Sequence, residues 1–222
     1  MEGLLVTIDG PAGSGKSSVA RAVAERLRVV NLNTGAAYRA VALLALREDA
    51  DPADVAVLAK LACRVGLGAE EARIDGEPVA DQDLRTPEVT AAASKVSAHP
   101  GVREVLLPVQ RAAAAEARES GGAVVEGRDI GTVVLPDAEL KIFLFAAPEE
   151  RALRRARQSG REGELDRIRQ AMQVRDKRDA EREASPLKPA TDAIVIDTTG
   201  LPLDEVVSRV VELAQKRSPN GG

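Results

Sequence analysis

A short glycine-rich segment is the part of the chain whose residue types and spacing most directly indicate chemistry. It reads Gly10-Pro11-Ala12-Gly13-Ser14-Gly15-Lys16-Ser17 and follows the apolar run Leu4–Ile8. An amphipathic helix pattern begins directly after it, so the order is strand, turn and helix, as a phosphate-binding loop requires. Glycines let successive backbone N–H groups face one anion, and the new helix adds further N–H groups and the positive end of its dipole. The segment predicts binding of a nucleoside triphosphate.

Roles within this segment follow from the same chemistry. We expect Lys16 to reach the β- and γ-phosphates and the Ser17 hydroxyl to ligand Mg²⁺. With one histidine and one cysteine in the chain, no transition-metal site is expected, so the metal would be the Mg²⁺ that arrives with the nucleotide. The predicted triphosphate-binding residues are Gly10, Pro11, Ala12, Gly13, Ser14, Gly15, Lys16, Ser17 and the adjacent Ser18.

Composition limits the class of protein. The 222 residues suffice for one domain spanning 1–222, and 44% of them are hydrophobic, so a full core is expected. The apolar runs are far shorter than the roughly 20 residues of a membrane span, and no signal-peptide pattern precedes the first strand. The single cysteine, Cys63, excludes an internal disulfide and is expected to be a small core residue. A cytoplasmic protein without a membrane partner is predicted.

The charge balance bears on possible partners. The net charge is −4, from 31 Lys and Arg against 35 Asp and Glu, and the aromatic residues are Tyr38, Phe143 and Phe145 alone. A protein that binds a nucleic-acid polymer usually has a basic excess and aromatic stacking surfaces, so such a partner is not expected. Nothing in the sequence demands more than a monomer.

Five short apolar runs alternate with helical patterns. This alternation predicts an α/β fold of the P-loop NTPase type, a doubly wound five-stranded parallel sheet with helices on both faces and ligands at the carboxyl ends of the strands. The predicted strands are Leu4–Asp9, Val29–Leu32, Ala123–Glu126, Leu140–Phe145 and Ala193–Ile196.

Turn and capping residues predict where helices begin. Helices are expected from a Thr34 cap to about Arg47, from Asp51-Pro52 to about Arg64, from Thr86-Pro87 to about Ala98, after Pro100, after Pro148, and from Leu203 to Lys216. In residues 65–84, an Asp75-Gly76 turn predicts a hairpin within a small inserted lobe. Residues 158–164 are predicted to be a mobile loop, and the tail Ser218–Gly222 is expected to fray.

Charged residues distinguish among the classes of protein that contain a phosphate-binding loop. The chain lacks the N/T-K-x-D motif that a GTPase uses to read guanine, and its third strand ends in Glu126-Gly127-Arg128-Asp129. Such charges at a sheet edge indicate either a buried structural ion pair or ligand contact. Phosphoryl transfer needs fixed cations, and arginine clusters at Arg151–Arg157 and Arg175–Arg182 could supply them, although solvated helix faces are the alternative. Helical spacing puts Arg175, Asp179 and Arg182 on one face.

Several longer motifs resemble those of bacterial cytidylate kinases, in the right order and over about the whole chain. They are Thr34–Arg39 (TGAAYR), Arg85–Val89 (RTPEV), Ser94–Val96, Val102-Arg103, Glu126–Val134 (EGRDIGTVV), Arg175–Asp179 (RDKRD), Pro186-Leu187 and Ala190–Ala193. The phosphate loop is generic, whereas the TGAAYR and GRDIGTVV segments are specific to that family. Asn33 departs from the usual Asp before the T-G turn, and Phe145 and Ala147 stand where polar residues are usual.

The resemblance implies transfer of the γ-phosphate of ATP to CMP or dCMP, with Mg²⁺ bound to the ATP. It implies that the lobe at 65–84 binds the acceptor and that residues 151–182 form a lid with its flanking helices. Carried over by motif, Ser94, Arg103 and Asp129 would bind cytosine, and Arg39 and Arg128 would hold the acceptor phosphate. Arg175 and Asp179 would contact the sugar hydroxyls. Arg182 would close on the nucleotide, and Arg154 would bind ATP. Thr34, Tyr38 and Arg85 complete the expected acceptor site; the expected catalytic residues are Lys16, Arg128, Asp129 and Arg182.

The residue types agree with cytosine as the base. Cytosine presents an amino donor beside two acceptors, which suit Asp129 and Arg103, whereas uracil would face both residues with mismatched groups. Two alternatives stay open: a kinase of this fold acting on UMP, AMP or shikimate, and a nucleotide-binding switch without enzymatic activity.

Overall fold

The computed structural model describes residues 3–69, 71–182 and 184–217. Its elements are, in chain order, β1 (Leu4–Asp9), α1 (Lys16–Leu27), β2 (Val30–Asn33), α2 (Gly35–Arg47), α3 (Val55–Ala62), β3 (Val65–Leu67), β4 (Ala72–Ile74), β5 (Glu77–Pro78), α4 (Asp81–Leu84), α5 (Pro87–Val96), α6 (Pro100–Glu119), β6 (Gly122–Glu126), β7 (Leu140–Phe145), α7 (Pro148–Ser159), α8 (Leu165–Glu181), β8 (Ile194–Asp197) and α9 (Leu203–Gln215). A π-helical turn spans Ile130–Val134, and a 3₁₀ turn spans Glu162–Glu164.

A parallel five-stranded sheet in the order β2-β6-β1-β7-β8 forms the centre of the fold. In the central strand β1, Ile8 lies opposite Glu126 of β6 and Asp9 lies opposite Phe143 of β7, so the carboxyl ends of the strands meet at one edge. All five predicted strands are present with bounds within one residue of those expected, and the predicted α/β sheet is confirmed. This edge carries the phosphate loop and the turn after β6.

Alternate residues of β1 explain why helices cover both faces. Val6 and Ile8 pack with α1 and α9 in one buried cluster, whereas Leu5 packs with α6 in another. Successive side chains of a strand point to opposite faces, and a strand buried on both faces is therefore apolar along its length. No helix of the described residues is long and apolar enough to cross a bilayer.

One predicted helix start is wrong, and one predicted cap is absent although its helix begins where expected, whereas the cap of α5 is confirmed. α3 begins at Val55, because the Asp54 carboxylate caps it by accepting from Val57 N at 3.0 Å; the Asp51 carboxylate accepts from Ala53 N instead. The Thr34 side chain does not cap α2, because its hydroxyl donates to the Glu126 carbonyl oxygen at 2.8 Å. Thr86 caps α5 as expected, accepting from Val89 N at 3.2 Å.

The inserted segment is a three-stranded antiparallel sheet, not a hairpin alone. β4 and β5 are joined by the predicted turn, in which Asp75 and Gly76 have φ of 54° and 88°, and β3 adds a strand that the sequence did not indicate. Cys63 is exposed, contrary to expectation, because it follows the last residue of α3 while Leu61 and Ala62 point inward. Segment 158–164 holds the end of α7 and a 3₁₀ turn closed by an Arg161–Glu164 ion pair of 2.7 Å. The predicted frayed tail lies outside the described residues.

Candidate active site

The glycine-rich segment forms a loop between β1 and α1. Gly13 and Gly15 have φ of 74° and 90°, a conformation that L side chains rarely adopt. A Cβ at Gly13 would lie 2.8 Å from Met172 Cε, so glycine is also needed there for close approach of α8. The Ser14 hydroxyl donates to the Pro11 carbonyl oxygen at 3.0 Å, which closes the loop on itself.

Lys16 lies at the start of α1 with its side chain buried. Its Nζ donates to the Pro11 carbonyl oxygen at 2.7 Å. Burial, followed by the charges of Arg128 and Arg175, holds the pKa of Lys16 well below its usual value. An anion bound in the loop would relieve this because negative phosphate oxygens favour the protonated ammonium.

Ser17 and Glu126 bring two oxygen ligands together beside the loop. The Ser17 hydroxyl donates to Glu126 Oε2 at 2.7 Å, and the carboxylate is buried at the end of β6. Ser18, the next residue, is exposed on α1. Within the described residues there is no group of three or more histidine, cysteine or acidic side chains that could hold a metal ion.

The turn after β6 is tied to the end of β1. Gly127 N donates to the Ile8 carbonyl oxygen at 3.1 Å, and Arg128 Nη1 donates to the Gly10 carbonyl oxygen at 2.7 Å. The Asp9 carboxylate accepts from the backbone N–H groups of Ile130 at 2.9 Å and Gly131 at 2.8 Å. These contacts join the phosphate loop to the turn that carries Asp129.

Sequence reasoning missed Asp9, although a charged residue ending an apolar strand was an available signal. Burial, and to a smaller extent the nearby Asp129 carboxylate, raises the pKa of the Asp9 carboxyl, while two backbone donors and Lys16 lower it, so that the pKa lies at about 6. Asp9 therefore titrates close to neutral pH.

Asp129 is surrounded by basic side chains from two directions. Its carboxylate is 4% exposed, contacts Arg103 Nη2, and lies 3.4 Å from Arg182 Nη2. Arg103 also donates to the Ser97 carbonyl oxygen at 3.1 Å, and its guanidinium carbon lies 5.3 Å from the centre of the Tyr38 ring. Four of the residues expected to form the acceptor site therefore lie together.

A second cluster lies next to the phosphate loop. Arg128 Nε donates to Asp179 Oδ2 at 3.0 Å, and Arg175 Nε lies 4.0 Å from the same oxygen. Arg128 thus pairs with a distant residue and not with its neighbours in the Glu126–Asp129 turn. Burial and the charge of Arg128 lower the pKa of Arg175 to about 10. The predicted common helix face is wrong for Arg182, because α8 ends at Glu181 and Arg182 has extended backbone.

Arg39 reaches the same region from α2. Burial, together with the charge of Arg85, lowers the pKa of Arg39 to about 10, so it stays protonated at neutral pH. Arg85 is exposed and pairs with Asp81. Thr34 is buried, and its hydroxyl ties the start of α2 to β6. Asn33 lies beside the turn, 3.2 Å from where a Cβ on Gly35 would lie.

Several guanidinium donors of this region are buried and have no hydrogen-bond partner within the described residues. Buried polar groups in native proteins are nearly always paired, so such donors indicate a ligand that supplies acceptors. They are Arg39 Nε and Nη2, Arg103 Nε, Arg175 Nε and Arg182 Nη2.

The arginines of α7 divide into two kinds. Arg151 is buried and donates to the Ala12 carbonyl oxygen at 3.1 Å while pairing with Asp176, whose Oδ1 accepts from Ala12 N at 3.4 Å. Arg154 donates to Thr198 Oγ1 at 3.0 Å and lies 3.8 Å from where a Cβ on Gly15 would lie. Arg155 and Arg157, which were expected to face the crevice with them, are exposed.

Ser94 is buried on α5, and its hydroxyl accepts from Arg178 Nη1 of α8 at 2.8 Å. The sequence placed Arg178 in a basic cluster without giving it a role, because its contact is with a residue 84 positions away.

A parallel sheet with a glycine-rich loop between its first strand and first helix, at the carboxyl edge of the sheet, is the arrangement of the phosphate-binding-loop class of α/β proteins. A family model described as Cytidylate kinase matches residues 6–216. The chain belongs to the cytidylate kinase family.

Relatives of known name agree with this membership. The chain is 46% identical to the cytidylate kinase of Mycobacterium leprae (strain Br4923), with 98% of each chain covered. It is 47% identical to a bifunctional pantoate ligase/cytidylate kinase of Synechococcus sp. (strain JA-3-3Ab), where 98% of this chain but only 42% of that protein is covered. The chain thus spans less than half the length of the bifunctional relatives. An uncharacterized protein from Eubacterium ventriosum ATCC 27560 shares the fold, with a TM-score of 0.57, 15% identity, and 96% and 98% of the two chains covered.

Proposed function

We propose that this chain transfers the γ-phosphoryl group of ATP to the phosphate of CMP or dCMP, giving ADP and CDP or dCDP. The observation that carries the proposal is the set of buried guanidinium donors that have no hydrogen-bond partner within the described residues, and family membership supports the choice of acceptor. An acceptor phosphate oxygen forms the new bond to the γ-phosphorus while the bond to the β-phosphate oxygen breaks. The acceptor phosphate is already nucleophilic near neutral pH, so positioning and charge neutralisation suffice without a general base.

Recognition of cytosine is assigned to Ser94, Arg103 and Asp129. A carboxylate accepts from the cytosine amino group, and a guanidinium group donates to its ring acceptors. The close contact between Arg103 and Asp129 supports this assignment because it fixes the acceptor and the donor side by side. Tyr38, stacked against Arg103, would complete this wall of the site.

The remaining roles follow the distribution of charge. Arg39 and Arg128 would hold the acceptor phosphate, with Arg85 and Thr34 at its margin, and Arg175 and Asp179 would address the sugar. Arg182 would neutralise charge as the nucleotide binds. Residues 65–84 would form the acceptor-binding lobe, and 151–182 the lid and its flanking helices, with Arg154 over ATP.

The residues beside the loop fit Mg²⁺. Hydroxyl and carboxylate oxygens are the ligands that this ion prefers, and Ser17 with the adjacent Glu126 offers both. Ser17 would hold the ion, and Glu126 would orient the Ser17 hydroxyl. When bound, the metal would supply positive charge that neutralises the charge developing on the phosphates during transfer.

The test is ADP production from ATP and Mg²⁺ with CMP, dCMP, UMP, AMP and shikimate supplied singly. Strong stimulation by CMP and dCMP alone is expected. A different preferred acceptor would keep the kinase and remove the assigned roles of Ser94, Arg103 and Asp129. ATP binding without stimulation by any acceptor would favour a nucleotide-dependent switch. Cytoplasmic location and a monomeric state stay predictions from the sequence.

A further inference from the structure

One hydrogen bond joins the helix α8 to α5, the helix that carries Ser94 of the proposed acceptor site. Arg178 Nη1 donates to Ser94 Oγ at 2.8 Å, across 84 residues of sequence. Ser94 is 5% exposed, and Arg178 is half-buried. This hydrogen bond limits how the Ser94 hydroxyl can be oriented.

Accepting this hydrogen bond constrains what the Ser94 hydroxyl can do next. A serine hydroxyl has one donor hydrogen and two acceptor lone pairs. Arg178 has no acceptor and always donates, so it occupies a lone pair and leaves the hydrogen free to point elsewhere. Among the described residues, the hydrogen bond of the Ser94 hydroxyl is the one that it accepts from Arg178, and it donates none.

The surroundings of Ser94 indicate where that hydrogen is needed. Ser97, one helical turn further along, supplies the carbonyl oxygen that anchors Arg103, and Arg103 in turn contacts Asp129. The same helix α5 thus carries Ser94 and the carbonyl oxygen that anchors Arg103, and the proposed function assigns Ser94 to cytosine recognition together with Arg103 and Asp129. A donor at this position suits cytosine, whose ring N3 accepts a hydrogen bond, and disfavours uracil, which carries an N–H there.

We propose that Arg178 is a positioning residue for base selection: by donating to Ser94, it fixes that hydroxyl as a donor toward an acceptor atom of cytosine. This inference rests on the proposed function. It assigns to Arg178 an effect on the CMP-to-UMP preference that acts through Ser94 and does not extend to ATP.

The test compares kcat/KM for CMP and UMP in the wild-type protein, Arg178→Met, Arg178→Lys, Ser94→Ala and the double variant. Methionine keeps much of the length and removes the donors, whereas lysine restores one donor. We expect Arg178→Met to lower the CMP-to-UMP ratio about 10-fold, as the loss of one buried hydrogen bond would, with KM for ATP unchanged and partial recovery in Arg178→Lys. In the Ser94→Ala background, Arg178→Met should lower the ratio no further.

A control is Arg209→Ala, which removes an exposed arginine of α9 outside the proposed site and lid and should alter none of these constants. Equal losses for CMP and UMP in Arg178→Met, or effects that add to those of Ser94→Ala, would overturn the role of Arg178. If the wild-type protein prefers CMP and Arg178→Met leaves the CMP-to-UMP ratio unchanged, the role of Arg178 is likewise overturned. A wild-type preference for another acceptor would instead overturn the proposed function itself.

Discussion

Lys16 combines burial with positive surroundings, an arrangement that a bound triphosphate would relieve. Within the described residues its ammonium group donates one hydrogen bond, to the Pro11 carbonyl oxygen, and burial together with the charge of Arg128 lowers its pKa. Lys16→Met should therefore lower kcat by about 100-fold or more, the loss typical of removing a fixed group that stabilises transition-state charge. CMP affinity, measured by calorimetric titration, should change little. Lys60→Met, an exposed lysine on α3, is the control; a near-wild-type rate in Lys16→Met would contradict the assigned role.

Asp129 is the residue whose replacement should most alter the choice of base. Asp129→Asn keeps the shape but presents an amide, so acceptance from the cytosine amino group and pairing with Arg103 are both weakened. The CMP-to-UMP ratio of kcat/KM should fall 10- to 100-fold, about the discrimination of one good base contact, with KM for ATP within about twofold. Asp137→Asn, the same change at an exposed site, is the control and should leave the ratio unchanged. Thermal unfolding shows whether each variant is folded. Unchanged discrimination would refute the assignment.

The contact between the end of β1 and the turn after β6 makes an element-scale prediction about pH. The Asp9 carboxyl has a pKa of about 6 in the folded chain against 3.8 in the unfolded one. At a pH between these two values, Asp9 is more fully protonated in the folded state than in the unfolded state. Its contribution to the free energy of unfolding is therefore greatest below pH 4 and falls as pH rises to about 7. The fall is about 3 kcal/mol in total.

Asp9→Asn removes this titration. As pH rises from 4 to 7, the free energy of unfolding of the wild type should therefore fall relative to that of the variant. Denaturant unfolding at each pH measures it. Asp137→Asn serves as the comparison, since its exposed carboxylate lies outside this turn. A difference between wild type and Asp9→Asn that is constant over this range would show that Asp9 is not the titrating group.

At the scale of elements, the sheet was the most predictable part. Its strands are continuous apolar runs because helices bury both faces, and that pattern is local. β3 was missed because three residues, Val65–Leu67, form a strand only through pairing with β4. The start of α3 was misplaced because Asp51 and Asp54 both have capping chemistry, and the sequence does not say which side chain binds a helical N–H.

The candidate site was predictable where a motif carries its own geometry, as in Gly10–Ser17. Partnerships between distant residues were not. The contacts of Asp9 with Gly131, of Arg128 with Asp179 and of Arg178 with Ser94 each join separate elements, and helical spacing alone wrongly extended α8 to Arg182. Such pairings depend on how the elements pack, which residue types and spacing do not determine.

Across the whole molecule, the buried residues fall into unequal groups. One large cluster joins β1, β7, α1 and α9, and another joins α2, α3 and α5 with the inserted sheet. The pair α7–α8 shares only a small cluster of Ala152, Ala156, Ile168 and Met172, which packs against Ala12 of the phosphate loop. Little apolar area therefore holds α7–α8 to the rest, and polar contacts at Ala12 carry a larger share of its attachment.

That imbalance predicts that α7–α8 opens without unfolding the sheet, as the lid proposed for residues 151–182 would. Segments with few buried apolar contacts open at lower free energy than the core, so amides of α7 and α8 should exchange hydrogen faster than those of β1. Asp176→Ala should speed exchange in α7–α8 by a further 10-fold or more, because Arg151 loses its partner and Ala12 N its acceptor. Asp166→Ala, an exposed change on the same helix, should not. Mass-spectrometric exchange measures each segment, and equal acceleration in β1 would mean that α7–α8 opens only when the whole protein unfolds.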